Sequence, residues 1–239
     1  IEYKPHPKQE IIHKCNKRFR TLCTGRRFGK SVLASREAVY NILTPGTRGW
    51  IVAPNYELTK KVFREVIIIM NTYFKGAIER QSEAMNYIKL KGGSELVGKS
   101  ADNPVGLLGE GLDFLIIDEA ASLKREIWEE YLRPTLADRQ GWALFISTPK
   151  GKNWFFEEFV RGQDREEGTV QSWNFLTSHN PYIPKEEIAH AKKHLPERVF
   201  LQEFQGKFIE DIGGVFRGVR ECVGGRLEEP DATKSYVIG

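Results

Sequence analysis

Four short apolar runs constrain this chain more than any other feature. "FRTLCT" (19–24), "RGWIVAP" (48–54), "LDFLIIDEA" (112–120) and "GWALFISTP" (141–149) are rich in β-formers and bounded by Gly, Pro or Asp. They are apolar at consecutive positions, as strands buried on both faces of a parallel sheet are. Helical stretches at roughly 6–18, 30–43, 56–75 and 124–137 alternate with them. Strands alternating with helices predict a layered α/β domain with a mainly parallel sheet. One insert departs from the pattern: "NYIKL" (86–90), "KGG" and "SELVGKS" (94–100) read as a β-hairpin around a Gly-Gly turn.

The first run leads into "TLCTGRRFGKSVLAS", residues 21–35. Strand, glycine-bearing loop, then Gly29-Lys30-Ser31 opening an amphipathic helix is the layout of a phosphate loop, the Walker A motif. Glycine lets backbone N–H groups turn inward around an anion, lysine reaches the terminal phosphates, and the hydroxyl ligates Mg²⁺. The helix points its positive dipole end at the same place. The loop is a variant: Thr24 stands where the first glycine is expected, and Gly25 follows one place late. Arg26, Arg27 and Phe28 fill the interior of the loop. Arg26 is suited to contact a γ-phosphate in cis; Arg27 reads as an outward-pointing solvating charge.

"FLIIDEA" supplies the matching acids. Its apolar residues bury the strand and deliver Asp118 and Glu119 to the carboxyl end, where ligands bind in open α/β sheets. Adjacent carboxylates repel unless a cation is present. Asp118 is therefore expected to hold Mg²⁺ together with Ser31, and Glu119 to orient water or accept its proton. "LFISTPKG" (144–151) ends a third strand in hydroxyls, so Ser147 and Thr148 are expected beside those acids, bonding the γ-phosphate or the attacking water. Gln9, in "YKPHPKQEII" just before the first helix, has an amide that can pair both edges of adenine.

"PHPKQ", "CTGRRFGKS", "SADNPVGLLGEGLD", "LDFLIIDEAA", "FISTPKGKNWFFE" and "RVFLQEFQGKF" occur in that order. Together they resemble the ATPase domain of the large terminase subunit of tailed bacteriophages, over about residues 3 to 210. The resemblance implies an ASCE-type P-loop NTPase fold with a small C-terminal lid, ATP and Mg²⁺ as ligands, and DNA packaging as the task. Residues 1–209 would form the motor domain, with a lid from about 150, and 210–239 a linker toward a nuclease domain absent from this chain. "SYVIG" resembles that domain's first strand, so nuclease activity is not expected here. It further implies Gln9 on adenine, Arg26 as the loop arginine, Lys30 and Ser31 on phosphate and Mg²⁺, Asp118 as the second-motif acid, Glu119 as the catalytic glutamate, and Ser147 and Thr148 as the coupling motif. Implied partners are double-stranded DNA gripped without sequence reading, a homo-oligomeric ring on the portal of a procapsid, and the small terminase subunit, all in the host cytoplasm. Many relatives carry an arginine, acting on a neighbour's ATP, where this chain has Leu108. Either Lys99, Arg125, Arg133 or Arg139 serves in its place, or the contribution is absent.

Composition is compatible with this. A net charge of +4 permits a nucleic-acid partner without demanding one. Cys15, Cys23 and Cys222 form no CxxC pair and read as free thiols. The apolar run from Val66 to Met70 is far too short to cross a bilayer. Lysines and arginines on loops and on one helix face (Lys89, Lys91, Lys99, Lys150, Lys152, Lys60, Lys61, Arg64) are the places where DNA phosphates would be met. Trp154, Phe155, Phe156 and Phe159 have core spacing. Other classes open to such a chain are a helicase-type ATPase, a P-loop kinase acting on a small molecule, and a DNA-clamping module without catalysis.

Overall fold

In a computed structural model the described residues are 3–164 and 166–210. They form one eight-stranded sheet in the order β3-β4-β5-β2-β6-β7-β1-β8. The strands are β1 (Phe19–Thr24), β2 (Arg48–Ala53), β3 (Ile78–Ser82), β4 (Tyr87–Leu90), β5 (Glu95–Ser100), β6 (Phe114–Asp118), β7 (Trp142–Ser147) and β8 (Val170–Phe175). From β5 to β8 every neighbouring pair is parallel, while β4 is antiparallel to both β3 and β5. The four apolar runs thus become the central strands, and the Gly-Gly hairpin extends one edge.

Both faces of the sheet are covered, which is why those runs are apolar without alternation. Along β6, Phe114 and Ile116 join a core built with helix α2 (Lys30–Ile42) and helix α3 (Tyr56–Tyr73). Leu115 and Ile117 face the opposite way, into a core with Trp128, Phe145, Trp154 and Phe155. Phe156 and Phe159 pack on Phe208, so this aromatic group belongs to the core, as its spacing indicates.

Two helices differ from expectation and two strands are additional to it. Helix α1 (Pro7–His13) stops well before residue 18. Arg20 Nη1 donates to Ile12 O in the last turn of α1 at 3.3 Å and to Cys15 O, just past the helix, at 3.4 Å. The stretch 124–137 is a π-helix over Ile127–Leu132 that narrows into the short α4 (Arg133–Thr135). Pro134 lacks the N–H an α-helix needs and its ring would strike the carbonyl four residues back; the wider turn relieves the clash. Strands β3 and β8 were not anticipated: β3 is mostly exposed and polar, and "VQSWNF" interleaves polar residues. Three further helices follow: α5 (Trp154–Arg161), α6 (Lys185–His194) and α7 (Glu197–Glu203). The expected linker and the "SYVIG" strand lie outside the described residues.

Candidate nucleotide site

Strand order assembles the site. β7 lies between β1 and β6, so residues 24–31, 118–119 and 147–148 meet at the carboxyl edge of three adjacent strands. Gly29 takes a left-handed conformation (φ 102°) as the N-cap of α2, which glycine adopts without a Cβ clash. Lys30 follows, and its buried ammonium lies 3.3 Å from Thr24 Oγ1, 3.5 Å from Gly25 O and 3.2 Å from Thr148 Oγ1. All three are neutral oxygens. Burial pushes the Lys30 pKa down, while Glu119 and Asp118 oppose that shift. A buried cation without a contacting carboxylate is an incomplete pair, and a polyphosphate would complete it.

Asp118 is the reverse case. Burial, then the charge of Glu119, pushes its carboxyl up to about 6. Its Oδ1 accepts the Glu119 N–H at 3.0 Å. Glu119 sits at φ 52°, a left-handed backbone rare for a side chain of its kind and typical of strained functional positions. A divalent cation would remove the repulsion between the two acids. The donor set fits Mg²⁺: one carboxylate and the Ser31 hydroxyl, with phosphate oxygens and water for the rest. No cluster of three or more His, Cys, Asp or Glu able to hold a metal occurs among the described residues.

Other expected site residues are committed to the protein itself. Ser147 Oγ accepts the Ala121 N–H at 3.2 Å and donates to Thr148 O at 2.8 Å, so it fixes the turn after β6. Arg26 forms an ion pair with Glu203 at the end of α7. Its backbone N–H also donates to Glu203 O at 2.6 Å. Arg27 is exposed with a positive φ of 62°. Phe28 is buried, stacked on Phe175 with ring centroids 5.5 Å apart. Gln9, which lies in the first turn of α1 rather than before it, donates to Gly29 O at 3.2 Å and accepts the His6 N–H at 3.2 Å, which leaves its amide one further donor and one further acceptor. It borders a cleft of about 290 Å³ shared with Tyr3, Val32, Arg36 and Tyr182.

Of the four basic residues weighed against Leu108, all are engaged. Lys99 donates to Gly106 O at 3.1 Å and lies over Trp50; Arg125 pairs with Glu129 and Glu157. Arg133 lies over Phe19 and Arg139 pairs with Asp113, both at the sheet's amino edge, away from the phosphate loop. The sequence reading missed His6, Thr177, Asn180 and Glu203, which contact the loop. Proline beside His6 and Asn180 marks turns in the sequence, but nothing in "PHP" or "TSHNP" reveals which loop they touch.

Comparison with known proteins agrees with this geometry. The family described as "Terminase large subunit, T4likevirus-type, N-terminal" matches residues 21–221. The large terminase subunit of Thermus phage G20c is 33% identical over 92% of this chain and 52% of its own length. That of Escherichia phage T5 is 32% identical over 83% of the chain and 46% of its own. The chain thus spans about half the length of these relatives. Among solved structures, the large terminase ATPase domain of Thermus phage P74-26 superposes with a TM-score of 0.77 at 34% identity, covering 87% of this chain and 95% of that one. The large terminase of bacteriophage HK97 shares the fold, with a TM-score of 0.74 at 13% identity. With a phosphate loop, paired acids and an intervening strand gathered at one sheet edge, the chain belongs to the terminase large-subunit family and carries its N-terminal domain, a P-loop ATPase fold.

Proposed function

We propose that this chain binds and hydrolyses ATP, and that hydrolysis drives double-stranded DNA into a viral procapsid. One observation carries the catalytic part: the buried Lys30 ammonium, ringed by neutral oxygens, lies at the same sheet edge as Asp118 and Glu119, with only β7 between their strands. The adenine edge would meet the remaining donor and acceptor of Gln9. Lys30 would pair with the β- and γ-phosphates, and the inward N–H groups of the loop would hold the β-phosphate. Ser31 and Asp118 would hold Mg²⁺, which supplies charge neutralisation on the phosphates. Glu119 orients a water and accepts its proton as the oxygen attacks the γ-phosphorus, and the bond to the ADP oxygen breaks.

To contact the γ-phosphate, Arg26 must leave Glu203. That exchange offers a path from nucleotide state to α7, and we place the moving part of the domain in the segment after β8, within the lid region from about 150 to 209. We further propose that the chain works as a ring on the portal with the small terminase subunit, in the host cytoplasm, and grips DNA through phosphates alone. No described helix is long and apolar enough to cross a membrane.

The test is phosphate release without any acceptor molecule. Lys30→Ala is expected to abolish tight ATP binding or turnover. Glu119→Gln is expected to keep ATP binding and lose about 10²–10⁴-fold in hydrolysis, the usual worth of a general base. Normal turnover by Glu119→Gln would remove Glu119 from its role, and phosphate transfer only in the presence of an acceptor would make the chain a kinase.

A further inference from the structure

Each carbonyl from residue 26 to 29 is held by a side chain from outside the loop. Thr177 Oγ1 donates to Arg26 O and Asn180 Nδ2 to Arg27 O, both at 2.7 Å. His6 Nε2 donates to Phe28 O at 3.1 Å, and Gln9 completes the series at Gly29 O. In a trans peptide the C=O and the following N–H point to opposite sides. Carbonyls drawn outward therefore turn the next N–H groups toward the concave side of the loop. The N–H groups of Arg27, Gly29, Lys30 and Ser31 make no hydrogen bond among the described residues. Successive N–H groups left open in this way form an anion-binding nest, and the start of α2 adds its dipole.

We propose that Thr177 and Asn180 are positioning residues for phosphate binding, holding the first half of the loop open around the anion as His6 and Gln9 hold the second. This rests on the ATPase reading and names the residues behind its phosphate site. Both donors are aimed by their own surroundings. The Thr177 N–H donates to Phe204 O at 2.8 Å. Asn180 Oδ1 accepts the Tyr182 N–H at 3.0 Å, which leaves Nδ2 for the loop. Position 25 must also be glycine for this contact: a Cβ there would lie 2.5 Å from Thr177 Oγ1 and 2.4 Å from Phe204 O. A shift of residues 177–180 would rotate the peptides at 26–28 and so change the affinity for anions, which gives the segment after β8 a direct hold on the nucleotide.

Calorimetric titration with inorganic pyrophosphate, which occupies the loop without touching the base cleft, tests the role. Thr177→Val and Asn180→Leu keep approximate shape and remove the donor. Each is expected to weaken pyrophosphate and ADP binding about tenfold, with apo thermal stability close to wild type, whereas Thr177→Ser retains affinity within about twofold. Steady-state turnover should show a raised KM with kcat little altered. Unchanged pyrophosphate affinity in both variants would overturn the proposal. So would collapse of the fold in both, since that is what a merely architectural contact predicts. Wild-type protein that takes up neither pyrophosphate nor nucleotide would overturn the ATPase reading itself, a result distinct from wild-type binding with indifferent variants.

Discussion

At the scale of single residues, the site stores charge where water cannot reach it. Asp118 has an ordinary value of 3.8 and is pushed to about 6 in the fold by burial and by Glu119. Well below 3.8 the carboxyl is neutral in the folded and unfolded chain alike. Between 3.8 and about 6 only the unfolded chain ionises it, so this group lowers stability as pH rises through that window, and the loss is complete above it. Asp118→Asn has no such loss. Its apo Tm should therefore exceed that of wild type by a few degrees above about pH 6, the excess shrinking as pH falls toward 4. Melting curves across that range check it; a pH-independent difference would mean that Asp118 is not electrostatically strained. The same substitution should reduce Mg²⁺-dependent nucleotide binding, the usual trade of stability against function.

Among the elements, β1 and its flanking helices share a second, buried ionic group that has no part in the chemistry. Glu37 on α2 bonds Arg20 on β1 at 2.8 Å and His13 on α1 at 2.5 Å, and Arg20 also lies 4.3 Å over the Trp142 ring. Burial alone would raise the Glu37 carboxyl, but His13 and Arg20 outweigh it and hold it below the usual carboxylate range. Its contribution is thus present above 4.5 and lost as pH falls through the lowered folded value. Glu37→Ala leaves the Arg20 charge buried and uncompensated, and should cost about 3–5 kcal/mol in urea unfolding. A cost below about 1 kcal/mol would show that Trp142 and the carbonyls of Ile12 and Cys15 suffice for Arg20. None of this group was legible beforehand, because Arg20 interrupts a run otherwise read as apolar and its partners come from two other elements. The central strands and α2 were legible, since two-sided burial and the Gly-Lys-Ser start leave marks within a few residues. β8 was not: its polar positions are satisfied by contacts such as Ser172 Oγ donating to Phe159 O at 2.6 Å, which no local pattern announces. At the site, Lys30, Asp118 and Glu119 were readable from spacing, whereas Thr177 and Asn180 reach the loop from residues 151 and 153 positions away, through topology alone.

Over the whole molecule, intramolecular pairing divides the cations that DNA phosphates could meet. Lys89 pairs with Glu79 and Lys152 with Glu210, while Lys99 is bound to Gly106 O and lies over Trp50. Lys61 and Arg64 on α3, and Lys91 and Lys150 on loops, are exposed and have no partner among the described residues. A cation already satisfied inside the chain gains little from a phosphate, because it must first give up its partner; an exposed one releases a DNA counterion at no such cost. If the DNA contact proposed above lies on α3, the double variant Lys61→Ala/Arg64→Ala should lower the slope of log K against log salt by about 1.8, roughly 0.9 for each phosphate no longer neutralised, and equally on unrelated sequences. Lys99→Ala should instead lower Tm and leave the slope alone, since Lys99 braces the loop after β5. An unchanged slope in the double variant, or a changed one in Lys99→Ala, would move the DNA contact off α3 and onto the edge where β5 ends.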